Sequence, residues 1–317
     1  MPKLLVEPPL VNCSGILSYP DVFERLENLN PFTKEAETVM GAWVTKSYTL
    51  RERPGNENVT VYELPDGAGL INSMGLPNPG VEYDEKRDKR DPLEELAKAK
   101  LKKPLIVSVA GFQPSEYIDV ILAFEKRVPN AAAYELNLSC PNITPGEKSI
   151  AGSIGDSPEL VAQAVSGARK VTSKPLIAKI SPACPVKRIA KAAEEAGADY
   201  IGCANTMPGL ILNKNGKPVL AGGSGGLSGK TLKSINLKVV YDVYETIDTK
   251  TTGIFAYGGI CDIYDIIDYC RAGAEVFGLG TVFKGMDSGS VTGHVHRLAE
   301  ELKSLQLEKM RGSAHAR

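Results

Sequence analysis

Residues 157–182 read SPELVAQAVSGARKVTSKPLIAKISP, a helix pattern followed by a strand pattern. Ser157 is a good N-cap, Pro158 suits the first helical position, and Glu159 falls in the first turn. The helical period stops before Pro175, and the apolar run beyond it closes on Lys179. A helix feeding a buried strand is half of a right-handed βαβ unit. The alternation continues in both directions from this stretch. Apolar runs recur at PLIVSVAG (104–111), AAYELNLSC (132–140), DYIGCANT (199–206), GIFAYGG (253–259) and EVFGLGT (275–281). PVKRIAKAAEEAGA (185–198) and DIYDIIDYCRAGA (262–274) carry a helical period that closes near a glycine. PPLVNCSG (8–15) and GAWVTKS (41–47) bring the strand candidates to eight. The pattern predicts an α/β fold, a single (β/α)8 TIM barrel over residues 1–309, rather than an open sheet. GLINSMGLPNPG (69–80) reads as an ordered loop after the second strand, 83–103 as a solvated helix and turn, and 310–317 as a disordered tail.

Composition excludes several classes. The 317 residues are 43% hydrophobic and 24% charged with a net charge of -1, a globular balance that disfavours bulk binding to nucleic acid or anionic membrane. No apolar run approaches the roughly 20 residues of a membrane helix. The N-terminal MPKLLVEPPLVNCSG is a poor signal peptide. The six cysteines, at 13, 140, 184, 203, 261 and 270, form no C-x-x-C pair and no zinc-like cluster with histidine. A reduced, cytoplasmic protein without a bound metal is expected. All three histidines, His294, His296 and His315, lie near the C-terminus, so an acid/base catalyst in the body of the chain is expected to be another residue type.

In a barrel of this kind, chemistry sits where strands end and βα loops begin. The expected ends are Asn12 to Gly15, Lys46-Ser47, Ala110-Gly111, Asn137 to Asn142, Lys179, Asn205-Thr206, Gly258-Gly259 and Gly280-Thr281. The glycine pairs at the last two strands suit the approach of a phosphate to backbone N–H groups; ordinary turn glycines are the alternative. Lys46 and Lys179 close apolar strands, where a lysine costs desolvation unless an anion is near. Such a lysine serves either an anionic ligand or a structural salt bridge. GGSGGLSGKT (222–231) approaches the P-loop pattern, but Ser224 stands where its first glycine belongs. A mobile or cofactor-touching Gly-rich loop is the stronger reading. Cys140, in ELNLSCPN (135–142), reads equally as a core thiol or as a base able to take a carbon-bound proton.

Together TKSYTLRERPGN (45–56), NSMGLPNPG (72–80), ELNLSCPN and the YGGI…GLGT pair resemble class 1 dihydroorotate dehydrogenase, from about residue 8 to about 305. The resemblance implies an FMN-binding barrel that oxidises (S)-dihydroorotate to orotate in pyrimidine (UMP) biosynthesis. It implies that Cys140 takes the proton from C5 while hydride leaves C6 for N5 of FMN. Substrate contacts are implied for Lys46, Asn72, Met74, Gly75, Leu76, Asn137, Asn142, Asn205 and Thr206. Cofactor contacts are implied for Gly15, Lys46, Ser47, Asn72, Asn137, Lys179, Gly229, Gly258, Gly259, Gly280 and Thr281. Lys179 matches the lysine near the flavin's N1 and O2, where charge collects on reduction. The membrane-bound class 2 enzymes use serine as base and carry an N-terminal extension, so Cys140 speaks for class 1.

The N-terminal half is similar to the homodimeric, fumarate-linked enzymes. CANT (203–206) and GGLSGK (225–230) are closer to the NAD-linked ones, which work with a subunit carrying FAD and an iron–sulfur cluster. The expectation is therefore a homodimer reoxidised by fumarate, with the NAD-linked catalytic subunit or a related dihydropyrimidine dehydrogenase as the alternative. A nucleotide-binding protein using residues 222–231 is the distant one.

Overall fold

A computed structural model describes residues 4–17, 39–82, 91–98, 101–139, 154–305 and 307–315. The elements begin with β1 (Leu10–Asn12), β2 (Trp43–Val44), β3 (Val61–Glu63), β4 (Leu70–Asn72) and α1 (Pro92–Lys98). They continue through β5 (Leu105–Val109), α2 (Pro114–Arg127), β6 (Ala131–Asn137), α3 (Pro158–Val171) and β7 (Leu176–Lys179). Next come α4 (Val186–Glu195), β8 (Tyr200–Cys203), β9 (Met207–Gly209), β10 (Gly225–Ser228) and α5 (Lys233–Tyr244). The last are β11 (Gly253–Tyr257), α6 (Ile263–Ala272), β12 (Val276–Leu279), α7 (Ser288–Lys303) and α8 (Leu307–Met310).

Eight strands form one parallel sheet in the order β1-β12-β11-β8-β7-β6-β5-β2. A parallel bridge from Val11 to Ala42 brings its two ends together, so the sheet curls into the expected (β/α)8 barrel. The helices start and stop as their residues dictate. The Ser157 hydroxyl caps α3 by accepting from Leu160 N–H. Asp262 and Asp265 form a capping box at α6, and Gly273 ends that helix in the left-handed conformation.

Along each strand, residues two apart share a face. One row points into the barrel and starts apolar, with Val11, Val44, Ile106, Ala133, Ile177, Tyr200, Phe255 and Val276 packed as a closed cluster. One step further toward the strand ends the same rows become Cys13, Lys46, Ser108, Glu135, Lys179, Gly202, Tyr257 and Gly278. The opposite rows, such as Tyr134 and Leu136, pack against the helices in the larger core. The barrel is thus dry at its base and polar at its mouth.

A second, antiparallel sheet β3-β4-β10-β9 covers the mouth. It corrects two expectations: 69–80 holds a strand rather than only a loop, and 222–231, expected as a mobile or cofactor-touching loop, holds the paired strand β10, whose end at Ser228 to Lys230 faces the mouth. Glycine is needed in β10 because a Cβ on Gly225 would lie 2.6 Å from the Asn72 carbonyl oxygen. This antiparallel setting also differs from a P-loop, which joins a parallel strand to a helix. Residues 310–315, expected as a loose tail, end α8 and make a 3-10 turn in which the His315 ring stacks 4.0 Å from Tyr241 and 4.3 Å from Tyr244. Aromatic stacking there outweighs a polar, glycine-containing composition. Among the described residues, no helix is long and apolar enough to cross a membrane.

Candidate active site

A cavity of about 530 Å³ opens at the C-terminal ends of the barrel strands, beneath the small sheet. Fifteen of the site residues expected from sequence line it: Gly15, Lys46, Ser47, Asn72, Met74, Leu76, Asn137, Lys179, Asn205, Thr206, Gly229, Gly258, Gly259, Gly280 and Thr281. Gly75 does not. It sits at φ +74° in a turn behind the wall, where its carbonyl accepts from Arg53 Nε at 3.3 Å and a Cβ would strike the Asn56 backbone. Cys140 and Asn142 lie outside the described residues.

The floor is a hydrogen-bonded layer. Asn205 Nδ2 donates to Asn137 Oδ1 at 3.3 Å and to Ser139 Oγ at 2.9 Å. Asn137 Nδ2 donates to Ser47 Oγ at 3.1 Å, and Ser47 and Ser108 are 3.0 Å apart. The Tyr117 hydroxyl donates to the Asn137 carbonyl at 2.9 Å and pins the end of β6. Asn236, from α5, donates to the carbonyls of Ala204, Asn205 and Tyr257, tying the ends of β8 and β11 together.

Lys179 is 6% exposed, with its ammonium 3.5 Å from Glu135 Oε1 and 4.3 Å from the centre of the Tyr257 ring. Glu135 is fully buried and also accepts from Ser108 at 3.0 Å and from Tyr257 at 2.8 Å. Glycines make room for the two bulky members. A Cβ on Gly202 would stand 3.1 Å from Lys179 Cα, and one on Gly278 would stand 2.2 Å from Tyr257 Cδ1. Burial pushes the Cys13 thiol up to about 11, with Lys179 pulling it down and Glu135 pushing it up. Burial also holds the Tyr257 phenol well above its ordinary value, with the Glu135 charge adding to the rise.

Away from the lysine the wall turns to backbone. Gly280 precedes a 3-10 turn, Thr281–Phe283, whose first amides have no side-chain cap. The Thr281 hydroxyl donates to Ser228 Oγ at 2.9 Å, joining the barrel to β10. One cavity therefore offers uncapped N–H groups and glycines on one side and a buried ammonium with amides on the other. That distribution fits a flat polar heterocycle with a phosphate tail.

Sequence reasoning did not single out Glu135, Ser108 or Tyr257 for the site. Their signal was positional: each is the inward residue just below a strand end that had been read.

Comparison with known proteins agrees with the barrel and with the motifs. The family model for dihydroorotate dehydrogenase matches residues 7–305. The catalytic subunit of dihydroorotate dehydrogenase B (NAD(+)) from Pyrococcus abyssi is 38% identical over 276 residues, 86% of this chain and 83% of that one. The protein of the same name from Anoxybacillus flavithermus is 35% identical over 283 residues, 89% of this chain and 83% of that one. A crystal structure of the DHODH of Eimeria tenella in complex with ferulenol superposes with a TM-score of 0.68 at 21% identity, over 98% of this chain and 86% of that one, a likeness of fold. The sequence relatives are named for NAD(+), so the fumarate acceptor expected from the N-terminal motifs gains no support, and the NAD-linked alternative fits these relatives better. Both the matched span and the identity place this chain in one group: it belongs to the dihydroorotate dehydrogenase family, in its class 1.

Proposed function

We propose that this chain is the catalytic subunit of an NAD-linked dihydroorotate dehydrogenase, which binds FMN and oxidises dihydroorotate to orotate. The observation that carries the reading is the one cavity that holds Lys46, Asn72, Asn137, Lys179, Asn205 and Thr206 together with the glycines that follow β11 and β12. Gly258, Gly259, Gly280 and Thr281 would hold the phosphate, with Lys179 and Asn137 at the ring. FMN supplies the acceptor for the hydride leaving C6 of the substrate.

The chain's own residues do the rest. Lys179 presents a cation where electron density arrives, in a site with little water to screen it. Asn72, Asn137 and Asn205 offer paired amide donors and acceptors that match a ring of alternating carbonyl and N–H groups. Lys46, 9% exposed, would meet the substrate carboxylate. Cys140, by its place in the family motif, takes the C5 proton as the hydride departs, so the substrate loses one proton and one hydride and gains the ring double bond. Electrons then pass to NAD through a partner subunit, a reading supported by relatives named for NAD(+) and as a catalytic subunit. The resemblance to the NAD-linked enzymes implies that this partner carries FAD and an iron–sulfur cluster.

Anaerobic addition of dihydroorotate should bleach the yellow protein, and Cys140→Ala should stop the bleaching while flavin stays bound. The reduced protein should recover colour with NAD only in the presence of the partner subunit. Rapid recovery with fumarate alone would overturn the acceptor, and bleaching by dihydrouracil instead of dihydroorotate would overturn the substrate.

A further inference from the structure

We propose that Glu135 is the positioning residue of this site: through Lys179 it sets the charge of the cavity floor, and through Ser108 and Ser47 it dictates which way the Asn137 amide faces. The proposal rests on the FMN and dihydroorotate reading above.

A carboxylate buried at 0% exposure is costly unless its oxygens are bonded. Glu135 meets that demand with two hydroxyls and one ammonium: Ser108 and Lys179 at Oε1, and Tyr257 at Oε2. A carboxylate only accepts, so Ser108 must spend its proton on Glu135. The 3.0 Å contact between Ser47 and Ser108 then has Ser47 as donor. Ser47 has one hydrogen, so toward Asn137 it must accept, and the Asn137 Nδ2 group is the donor at 3.1 Å. That leaves Asn137 Oδ1 turned toward Asn205 Nδ2, 3.3 Å away. One buried charge thus orders a row of bonds that ends at two amides of the proposed substrate pocket.

The same carboxylate balances Lys179. Without it the floor carries a full positive charge over the face of Tyr257; with it the pair is near neutral. The proposed cofactor gains negative charge on reduction, so the Glu135 charge opposes that reduction and Lys179 favours it. Cys13 stands beside both charges and reports on them, because its thiol responds to each with opposite sign.

Glu135→Gln keeps the shape and removes the charge. In the full-length, flavin-loaded protein it should raise the midpoint potential of bound FMN by at least a tenfold change in the two-electron reduction equilibrium, about 30 mV. An unchanged potential overturns the charge role. Adding Lys179→Met should make the two effects non-additive; additive shifts would show that Glu135 does not act through Lys179. Ser108→Ala cuts the row of bonds while leaving the ion pair, so KM for dihydroorotate should rise roughly fivefold, the worth of one hydrogen bond, with the potential unmoved. An unchanged KM overturns the orienting role, and this variant carries the test if Glu135→Gln does not fold. Peptide-mapped alkylation of Cys13 in the flavin-free full-length chain gives a readout independent of the cofactor. Glu135→Gln should lower the pH at which Cys13 labels and Lys179→Met should raise it. Absence of both shifts refutes the proposal, whereas failure to bind FMN refutes only the functional reading on which it rests.

Discussion

The side chain of Asn12 completes the barrel by bonding the backbone of Val44 twice: Oδ1 accepts from Val44 N–H at 2.8 Å, and Nδ2 donates to the Val44 carbonyl at 2.8 Å. Backbone pairing across this seam is sparse, with one bridge from Val11 to Ala42 and a bond from Gly41 N–H to the Leu10 carbonyl. An amide side chain carries the same donor and acceptor as a peptide unit. Asn12 therefore supplies the missing rung, and it does so fully buried, three residues before Gly15, which lines the site.

Asn12→Ala should leave two buried backbone groups of Val44 without partners, at about 1–3 kcal/mol each before any relaxation. Urea unfolding should show a midpoint well below the parent's with an unchanged slope. A parental midpoint would mean that the seam closes without this side chain.

At the opposite end of the barrel, Arg169 binds three segments at once. Its guanidinium donates to the Thr172 and Lys174 carbonyls and to Asp199 Oδ2 at 2.8 Å, and that same oxygen accepts from Leu176 N–H at 2.8 Å. Arg169→Met strands a mostly buried carboxylate beside β7 and should cost on the order of 3 kcal/mol. Because the cluster lies away from the cavity, flavin affinity at low temperature should be unchanged. A drop in flavin affinity with parental stability would contradict this division of labour.

The barrel was legible because its inward rows repeat one rule, apolar at the base and then polar or glycine one step higher, in the parallel strands. Lys179, Asn137 and Asn205 were readable as strand ends for the same reason. The covering sheet was not: its strands run three or four residues, and β10 reads Gly-Gly-Leu-Ser, which carries no period and no β-branched residue. Asn12 was visible as a strand end, but that it bonds backbone rather than ligand depends on where β2 falls in space. Glu135 was hidden by its setting in AAYELNL, since an acid in an apolar run gains meaning only when its donors, Ser108, Lys179 and Tyr257, are seen to converge.

Stability should also depend on His294. Burial holds its imidazole below the ordinary value of 6.5, and its Nε2 is buried with no hydrogen-bond partner, so a proton there meets no acceptor. A lowered folded value means that the unfolded chain binds the proton more readily. The stability contribution is complete above about pH 6.5 and falls as pH drops through the lowered folded value. His294→Phe should flatten that part of the pH–stability curve. An identical slope in parent and variant would assign the acid sensitivity to other groups.

The last test concerns the contact between the covering sheet and the site. A Cβ on Gly226 would stand 2.0 Å from Thr206 Oγ1 and 2.7 Å from Thr206 Cβ, too close for any adjustment of rotamer alone. Gly226 is also held in place on its other side, where its carbonyl accepts from Asn72 Nδ2 at 3.2 Å. Gly226→Ala therefore has to move Thr206, Asn72 or both, at a typical overpacking cost of about 1–3 kcal/mol, a factor of roughly five to 150 in an equilibrium. Both residues line the cavity, so the cost should fall on ligand binding more than on the barrel. KM for dihydroorotate should rise by about tenfold or more, while the unfolding midpoint moves little. If KM holds and the midpoint falls instead, the small sheet serves the stability of the fold, and Thr206 and Asn72 do not contact the substrate.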